Sequence, residues 1–190
     1  MMEAKLRELL ARWQKQTRDD PDRVPSAVII PLYKKQGHYY IVFIKRTESV
    51  KEHKGQISFP GGTRETGDKT LLDTALRECY EEIGLRPEDI DVLGELDDEI
   101  TTTSNYVVAP FVGMIPWPYR FSKNDDEVDE ILEFPITELM DRRCLQPDTE
   151  FLNGKTIDSF TYHVQGRVIW GATARILNRL LDICNQAMTE

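Results

Sequence analysis

Only three cysteines occur in the 190 residues, Cys79, Cys144 and Cys184, widely spaced and with no CxxC pair. That argues against a disulfide framework and against a structural zinc centre. Each is expected to be a small core or surface residue. Long apolar runs are also missing: no segment approaches what a membrane-spanning helix needs, and the first residues, MMEAKLRELLARW, mix both charge signs through their apolar positions. A soluble, cytoplasmic protein with no membrane partner is expected. Positive charge is in deficit, with Lys+Arg 24 against Asp+Glu 33 and a net charge of -9. Most of such a surface repels a phosphate backbone, so nucleic acid is not an expected partner. Internal repeats and low-complexity tracts are absent as well.

What is present suffices for one core. With 40% hydrophobic residues over 190 positions, a single domain spanning 1–190 is expected, with residues 1–23 as an N-terminal helical extension. Leu6, Leu9, Leu10 and Trp13 recur at helical spacing, and this stripe offers a surface for a homodimer. SAVIIPLY and HYYIVFIKR read as strands joined by a KKQG turn; DVLGELDDE and NYVVAPFVGMI read as two more. EILEFPITELM reads as a strand passing into a short helix, DSFTYHV and GRVIW as a second hairpin, and 171–188 as a final amphipathic helix. Hairpins mixed with helices, without strict βαβ alternation, predict an α+β fold in which helices cover a mixed sheet.

The charge is unevenly placed. Lys45, Arg46, Lys51, His53, Lys54 and Arg64 form a basic island in an acidic chain, just ahead of the glycine-rich run QISFPGGTRETGDK. A helix then spans about Thr70 to Ile83, with Thr70 and Asp73 placed as a capping box and Gly84 as the C-cap. Its sequence RECYEEIGL sets Glu78, Glu81 and Glu82 beside the apolar stripe Leu72, Ala75, Leu76, Cys79 and Ile83. Carboxylates in a last helical turn oppose the backbone dipole at roughly 0.3–1 kcal/mol, and Glu78 repels Glu82 at i+4. Arg77 answers one of them by pairing with Glu81 at i+4. A solvated acidic face is one reading. Three carboxylates on one rim after a double glycine are better explained as ligands for a hard divalent cation.

The stretch Gly61 to Leu85, GGTRETGDKTLLDTALRECYEEIGL, resembles the Nudix box. Its helical half, Arg-Glu-aliphatic-x-Glu-Glu-x-Gly-aliphatic, is filled by Arg77, Glu78, Cys79, Glu81, Glu82, Gly84 and Leu85. Where the usual box has an acidic residue eight positions before the arginine, this chain has Lys69, with Asp68 just ahead, so the loop is one residue longer than the common form. That longer loop and the upstream run IKRTESVKEHKGQISFPGG are similar to the coenzyme A pyrophosphatase branch, with Lys51 where arginine is usual. The resemblance runs from about Val24 to Leu181.

It implies the Nudix fold, an α/β/α sandwich with the mixed sheet between helices. It also implies hydrolysis, with Mg²⁺ or Mn²⁺, of the diphosphate of coenzyme A (CoA) or its thioesters to 3',5'-ADP and 4'-phosphopantetheine or its acyl form. Glu78, Glu82 and Glu81 are implied as metal ligands with a carbonyl of Gly61 or Gly62, and Arg77 as orienting them. Arg46, Lys51, His53, Lys54 and Gly62 are implied at a CoA-like nucleotide substrate. A carboxylate outside the box often assists in Nudix enzymes; Glu127, Glu130 and Glu133 are the candidates, and solvated acids are an equal reading. Phe59, Pro60 and Trp170 are read first as packing residues. The alternatives are a Nudix enzyme for ADP-ribose, a dinucleotide or an oxidised nucleotide, a non-catalytic nucleotide-sensing module, and an isomerase on the same scaffold.

Overall fold

A computed structural model of the chain describes residues 2–48, 55–152 and 154–189. In chain order the elements are α1 (Met2–Ala11), β1 (Val24–Lys35), β2 (His38–Arg46), β3 (Ile57–Ser58), β4 (Gly61–Thr63) and α2 (Leu71–Ile83). They continue with β5 (Asp91–Glu95), β6 (Glu99–Ile100), β7 (Tyr106–Met114), β8 (Val128–Pro135) and the one-turn α3 (Ile136–Leu139). The chain closes with β9 (Leu145–Leu152), β10 (Lys155–Val164), β11 (Arg167–Ile169) and α4 (Gly171–Thr189).

The main sheet is mixed, as the pattern predicts. Its strands run β3-β2-β1-β7-β5, with β4 paired to β1, β6 to β7 and β8 to β2. The β1–β7 pair is parallel and its neighbours antiparallel. A three-stranded antiparallel sheet, β11-β10-β9, stands beside it.

Because side chains alternate across a strand, each central strand feeds two cores. Ile30 and Leu32 of β1, Ile41 and Phe43 of β2, and Val108 and Val112 of β7 pack with Leu6, Leu10 and the buried stripe of α4. Ala27, Ile29, Val42, Ile44, Ala109 and Phe111, the alternate positions, pack with Ala75, Cys79 and Ile83 of α2. The sheet therefore lies between α2 on one face and α1 with α4 on the other. Among the described residues no helix is long and apolar enough to cross a membrane.

Three features depart from the sequence expectation. Helix α1 stops at Ala11, and Trp13 lies beyond it with its indole Nε1 donating to Asp97 at 2.9 Å. The stripe expected to serve a dimer is covered inside the chain, since Leu6 and Leu10 are buried and Leu10 lies against Gly94. Strand β9 was not expected at all: LQPDTEFL is polar and contains proline, and it is extended because it pairs with β10 along its length.

Candidate active site

The geometry starts with two glycines. Gly61–Thr63 forms β4 on the edge of β1, with Gly61 opposite Val28 and Gly62 opposite Ala27. A Cβ at Gly61 would stand 2.2 Å from the Ala27 carbonyl oxygen, and one at Gly62 would stand 2.5 Å from the Glu78 carboxyl carbon. Only glycine lets this strand lie so close to β1 and to α2.

Helix α2 is set over β1 and β4 by its ends and its apolar face. Asp73 N–H donates to Thr70 Oγ1 at 3.1 Å and Thr70 N–H to Asp73 Oδ2 at 2.8 Å, the expected capping box. Gly84, at φ +67°, closes the helix through its N–H to the Tyr80 carbonyl.

At the start of α2 lies a closed knot. Arg77 Nε and Nη2 fork onto Asp68 Oδ1 and Oδ2 at 3.1 and 3.0 Å, and Nη2 also donates to the Thr63 carbonyl. Asp68 accepts further from Glu65 N–H and Thr74 Oγ1, both at 2.9 Å. The upstream acidic partner of the arginine is thus Asp68; the extra loop residue brings it to the place where the common box spacing points to Lys69. Above all the Arg77 hydrogen bonds, helped by the Glu65 N–H, hold the Asp68 carboxyl well below the usual carboxylate range. Arg77 Nη1 reaches Glu78 at 2.9 Å and Glu81 at 3.1 Å, so this cation orients the acidic face as well as fastening the loop.

The other end is less well compensated. Glu82 is 1% exposed and accepts from Gly61 N–H at 2.9 Å and from Arg46 Nη1 at 3.2 Å. Burial pushes its carboxyl up to about 8, the charges of Glu78 and Glu127 add to the rise, and Gly61 N–H and Arg46 oppose it. Burial also raises Glu78, against the pull of Arg77. Arg46 Nε is buried and has no hydrogen-bond partner among the described residues.

Glu78, Glu82, Glu127, Arg46, Gly61 and Gly62 line one cavity of about 510 Å³. Two of the three box glutamates thus converge. Glu81 does not: it is half exposed on the outer flank of α2, beside Tyr80 and Arg86 in a separate depression. The structure also separates the outside carboxylates. Glu127 faces the cavity, Glu130 pairs with Arg167 at 2.7 Å, and Glu133 sits beside Tyr33. Of the basic island, Lys45 is paired with Asp129 and Arg64 with the carbonyls of Asp68 and Lys69, leaving Arg46 at the cavity. Lys51, His53 and Lys54 lie outside the described residues. Phe59 packs in the core against Phe43, yet it also borders the cavity, as does Trp170. For Trp170, just ahead of α4, the sequence favours a packing anchor first and a pocket residue second, and the cavity position matches the second reading because α4 reaches the site only through the tertiary fold.

A mixed sheet between helices, with an acidic helix laid on a double-glycine strand, is the architecture of a Nudix protein. Residues 22–158 match the NUDIX domain family, and the chain belongs to that family of hydrolases. An "Uncharacterized Nudix hydrolase NudL" of Enterobacter sp. (strain 638) is 30% identical over 179 residues, 92% of each chain. The protein of the same name from Pectobacterium atrosepticum is 34% identical over 141 residues, 74% of this chain and 72% of that one. In fold the chain is similar to the NUDIX domain of Shewanella oneidensis NrtR, solved with ADP ribose (TM-score 0.55, 15% identity, covering 96% of this chain and 97% of that one). A MutT/nudix family protein from Enterococcus faecalis has the same TM-score of 0.55 at 15% identity, over 98% of this chain and 80% of that one.

Nudix hydrolases generally use divalent metal ions such as Mg²⁺ or Mn²⁺. Among the described residues no three His, Cys, Asp or Glu side chains are gathered closely enough to hold a metal by themselves. The donor chemistry nonetheless fits a hard cation that takes one or two carboxylates and completes its shell with waters and substrate phosphates. Glu78 and Glu82 are oxygen donors facing one cavity beside a backbone strand, and burial leaves both short of positive charge.

Proposed function

We propose that this chain is a single-domain enzyme, residues 1–190, that hydrolyses the diphosphate of CoA or its thioesters with Mg²⁺ or Mn²⁺. Water adds to one phosphorus, the P–O–P bridge breaks, and 3',5'-ADP leaves with 4'-phosphopantetheine or its acyl form. The observation that carries the hydrolytic reading is the single cavity lined by Glu78, Glu82, Glu127, Gly61 and Gly62. The choice of CoA rests on IKRTESVKEHKGQISFPGG, upstream of the box and joined to it.

In this reading Glu78 and Glu82 hold the metal with the carbonyl of Gly61 or Gly62, and Glu81, outside the cavity, serves only through its pair with Arg77. Held there, a divalent cation would supply charge neutralisation at the phosphoryl oxygens and a lowered pKa for the attacking water. Arg77 fixes the carboxylates without touching substrate. Arg46 meets a phosphate oxygen through Nε, a buried donor whose unpaired state costs roughly 1–3 kcal/mol. Lys51, His53 and Lys54 contact the diphosphate or the 3'-phosphate. Glu127 takes the proton of the attacking water, since it alone of the three outside candidates lines the cavity.

The test is incubation with Mg²⁺ or Mn²⁺ and a panel of CoA, ADP-ribose, NADH and dNTPs, with products resolved by chromatography. Release of 3',5'-ADP from CoA above all other activities is expected. Preferred cleavage of another member of the panel overturns the choice of CoA.

A further inference from the structure

The cavity continues past the carboxylates to Trp170 and the first turn of α4, where Ala172 and Ile176 line it together with Thr103 and Tyr106. Among the described lining residues the charged ones are Arg46, Glu78, Glu82 and Glu127, and they form one cluster: Arg46 bonds Glu82, on which the charges of Glu78 and Glu127 also act. All other described lining is uncharged. The cavity therefore has a charged arm and a neutral arm.

Resting on the CoA reading above, we propose that the neutral arm at Trp170 and the start of α4 receives the half of the substrate without a phosphate, the amide-linked pantetheine chain. The 3'-phosphorylated adenosine half stays outside that arm.

Charge decides which half enters. A phosphate dianion drawn into this arm would meet no lysine or arginine among the described lining, and the dipole of one helix end offsets only a fraction of its desolvation. An uncharged chain carries no such penalty. Its methylenes find Trp170 and Ile176, and its amide carbonyls find donors, because Trp170, just before α4, and Gly171 and Ala172, which open it, carry no side-chain acceptor to cap the first backbone N–H groups. The wall is also preformed. Thr102 Oγ1 donates to Glu150, and Arg175 of α4 joins Glu150 to Glu99 and to the Ile100 carbonyl. The segment bearing Thr103 is thereby tied to the helix bearing Ala172, and a preformed arm discriminates without a cost of ordering.

The test compares Trp170→Ala, Trp170→Phe and Ala172→Glu with the parent, the last placing an acid where a helix start favours one. CoA hydrolysis is followed in Mg²⁺, with pantetheine and 3',5'-ADP as competing inhibitors. Trp170→Ala is expected to raise the KM for CoA about tenfold or more, with kcat within about threefold, and to abolish inhibition by pantetheine while sparing that by 3',5'-ADP. Trp170→Phe restores most of the KM. Ala172→Glu weakens pantetheine and leaves 3',5'-ADP unchanged. Loss of 3',5'-ADP inhibition in Ala172→Glu overturns the proposal, because the phosphorylated half then occupies the arm; so does an unchanged KM in both Trp170→Ala and Ala172→Glu. If no variant and no parent cleaves CoA, the CoA reading fails by itself. The arm is then judged from binding: pantetheine changes the parent's tryptophan fluorescence and not that of Trp170→Phe, or the proposal falls.

Discussion

Helix α2 carries two arginine–carboxylate clusters that differ in one respect. Around Arg77 the cation and Asp68 are answered: the guanidinium forks onto Asp68, reaches Glu78, Glu81 and the Thr63 carbonyl, and Asp68 takes two further donors. Around Arg46 the accounts stay open, with a buried Nε lacking a partner among the described residues and a buried Glu82 whose carboxyl is pushed up to about 8. A satisfied polar cluster stabilises a fold, whereas a half-satisfied one costs stability and persists where a ligand completes it. The first cluster builds the loop; the second is the one that substrate and metal complete in the proposed function.

The sharpest break of this comparison is Glu82→Gln. Metal-dependent turnover is expected to fall about 10³-fold, within the range of positioned catalytic groups, while the metal-free protein melts no lower than the parent, since the amide oxygen still accepts from Gly61 N–H and the buried group can no longer ionise. Near-parental turnover in a chromatographic assay would falsify the assignment of Glu82.

Arg77→Ala is the mirror case. It leaves Asp68, 8% exposed, without its cation, and about 3 kcal/mol of stability is expected to go, read by urea denaturation. Arg77→Lys keeps the charge but not the fork and falls between parent and alanine variant. A loss of activity with no loss of stability would merge the two clusters into one.

Asp68→Asn tests the sign of the pH dependence. A carboxyl held below its ordinary value by Arg77 stabilises the fold at pH values above that ordinary value, and this contribution disappears as pH falls through the depressed one. The variant is therefore expected to be less stable than the parent at pH 7 by about 1–3 kcal/mol, with the gap beginning to narrow only once pH drops below the ordinary carboxylate value and closing as it falls through the depressed one. Glu82 has the opposite sign. Its raised carboxyl favours the metal-free fold at low pH, and that contribution is lost as pH rises toward about 8.

The smallest expected effect is Thr70→Ala. It opens the capping box at the start of α2 and costs about 1 kcal/mol, visible as a lower midpoint in urea, with KM for substrate unchanged. A large KM change would show that the start of the helix positions the site as firmly as Arg77 does.

Local rules made much of this legible. The capping box, the Gly84 stop, the hairpin at Gln36–Gly37 and the buried stripe of α4 depend on neighbours within a few residues, so spacing reveals them. The acidic face of α2 was legible for the same reason. That Glu81 turns outward was not: three glutamates on adjoining positions look alike until the sheet decides which side is covered. Strand β9 was hidden because its partner, not its composition, makes it extended.

By itself the sequence determined a mixed sheet covered by helices, through the near-continuous apolar runs of β1, β2 and β7, and an acidic helix tied to a double glycine. Only the tertiary structure decided that Asp68 is the partner of Arg77, that Glu127 alone of three acids enters the cavity, and that Trp170 borders it. The reason is range: hydrogen-bonded turns and helical stripes are set within a few residues of chain, whereas burial, and with it the electrostatics of Glu82, arises from segments that meet only when the sheet closes.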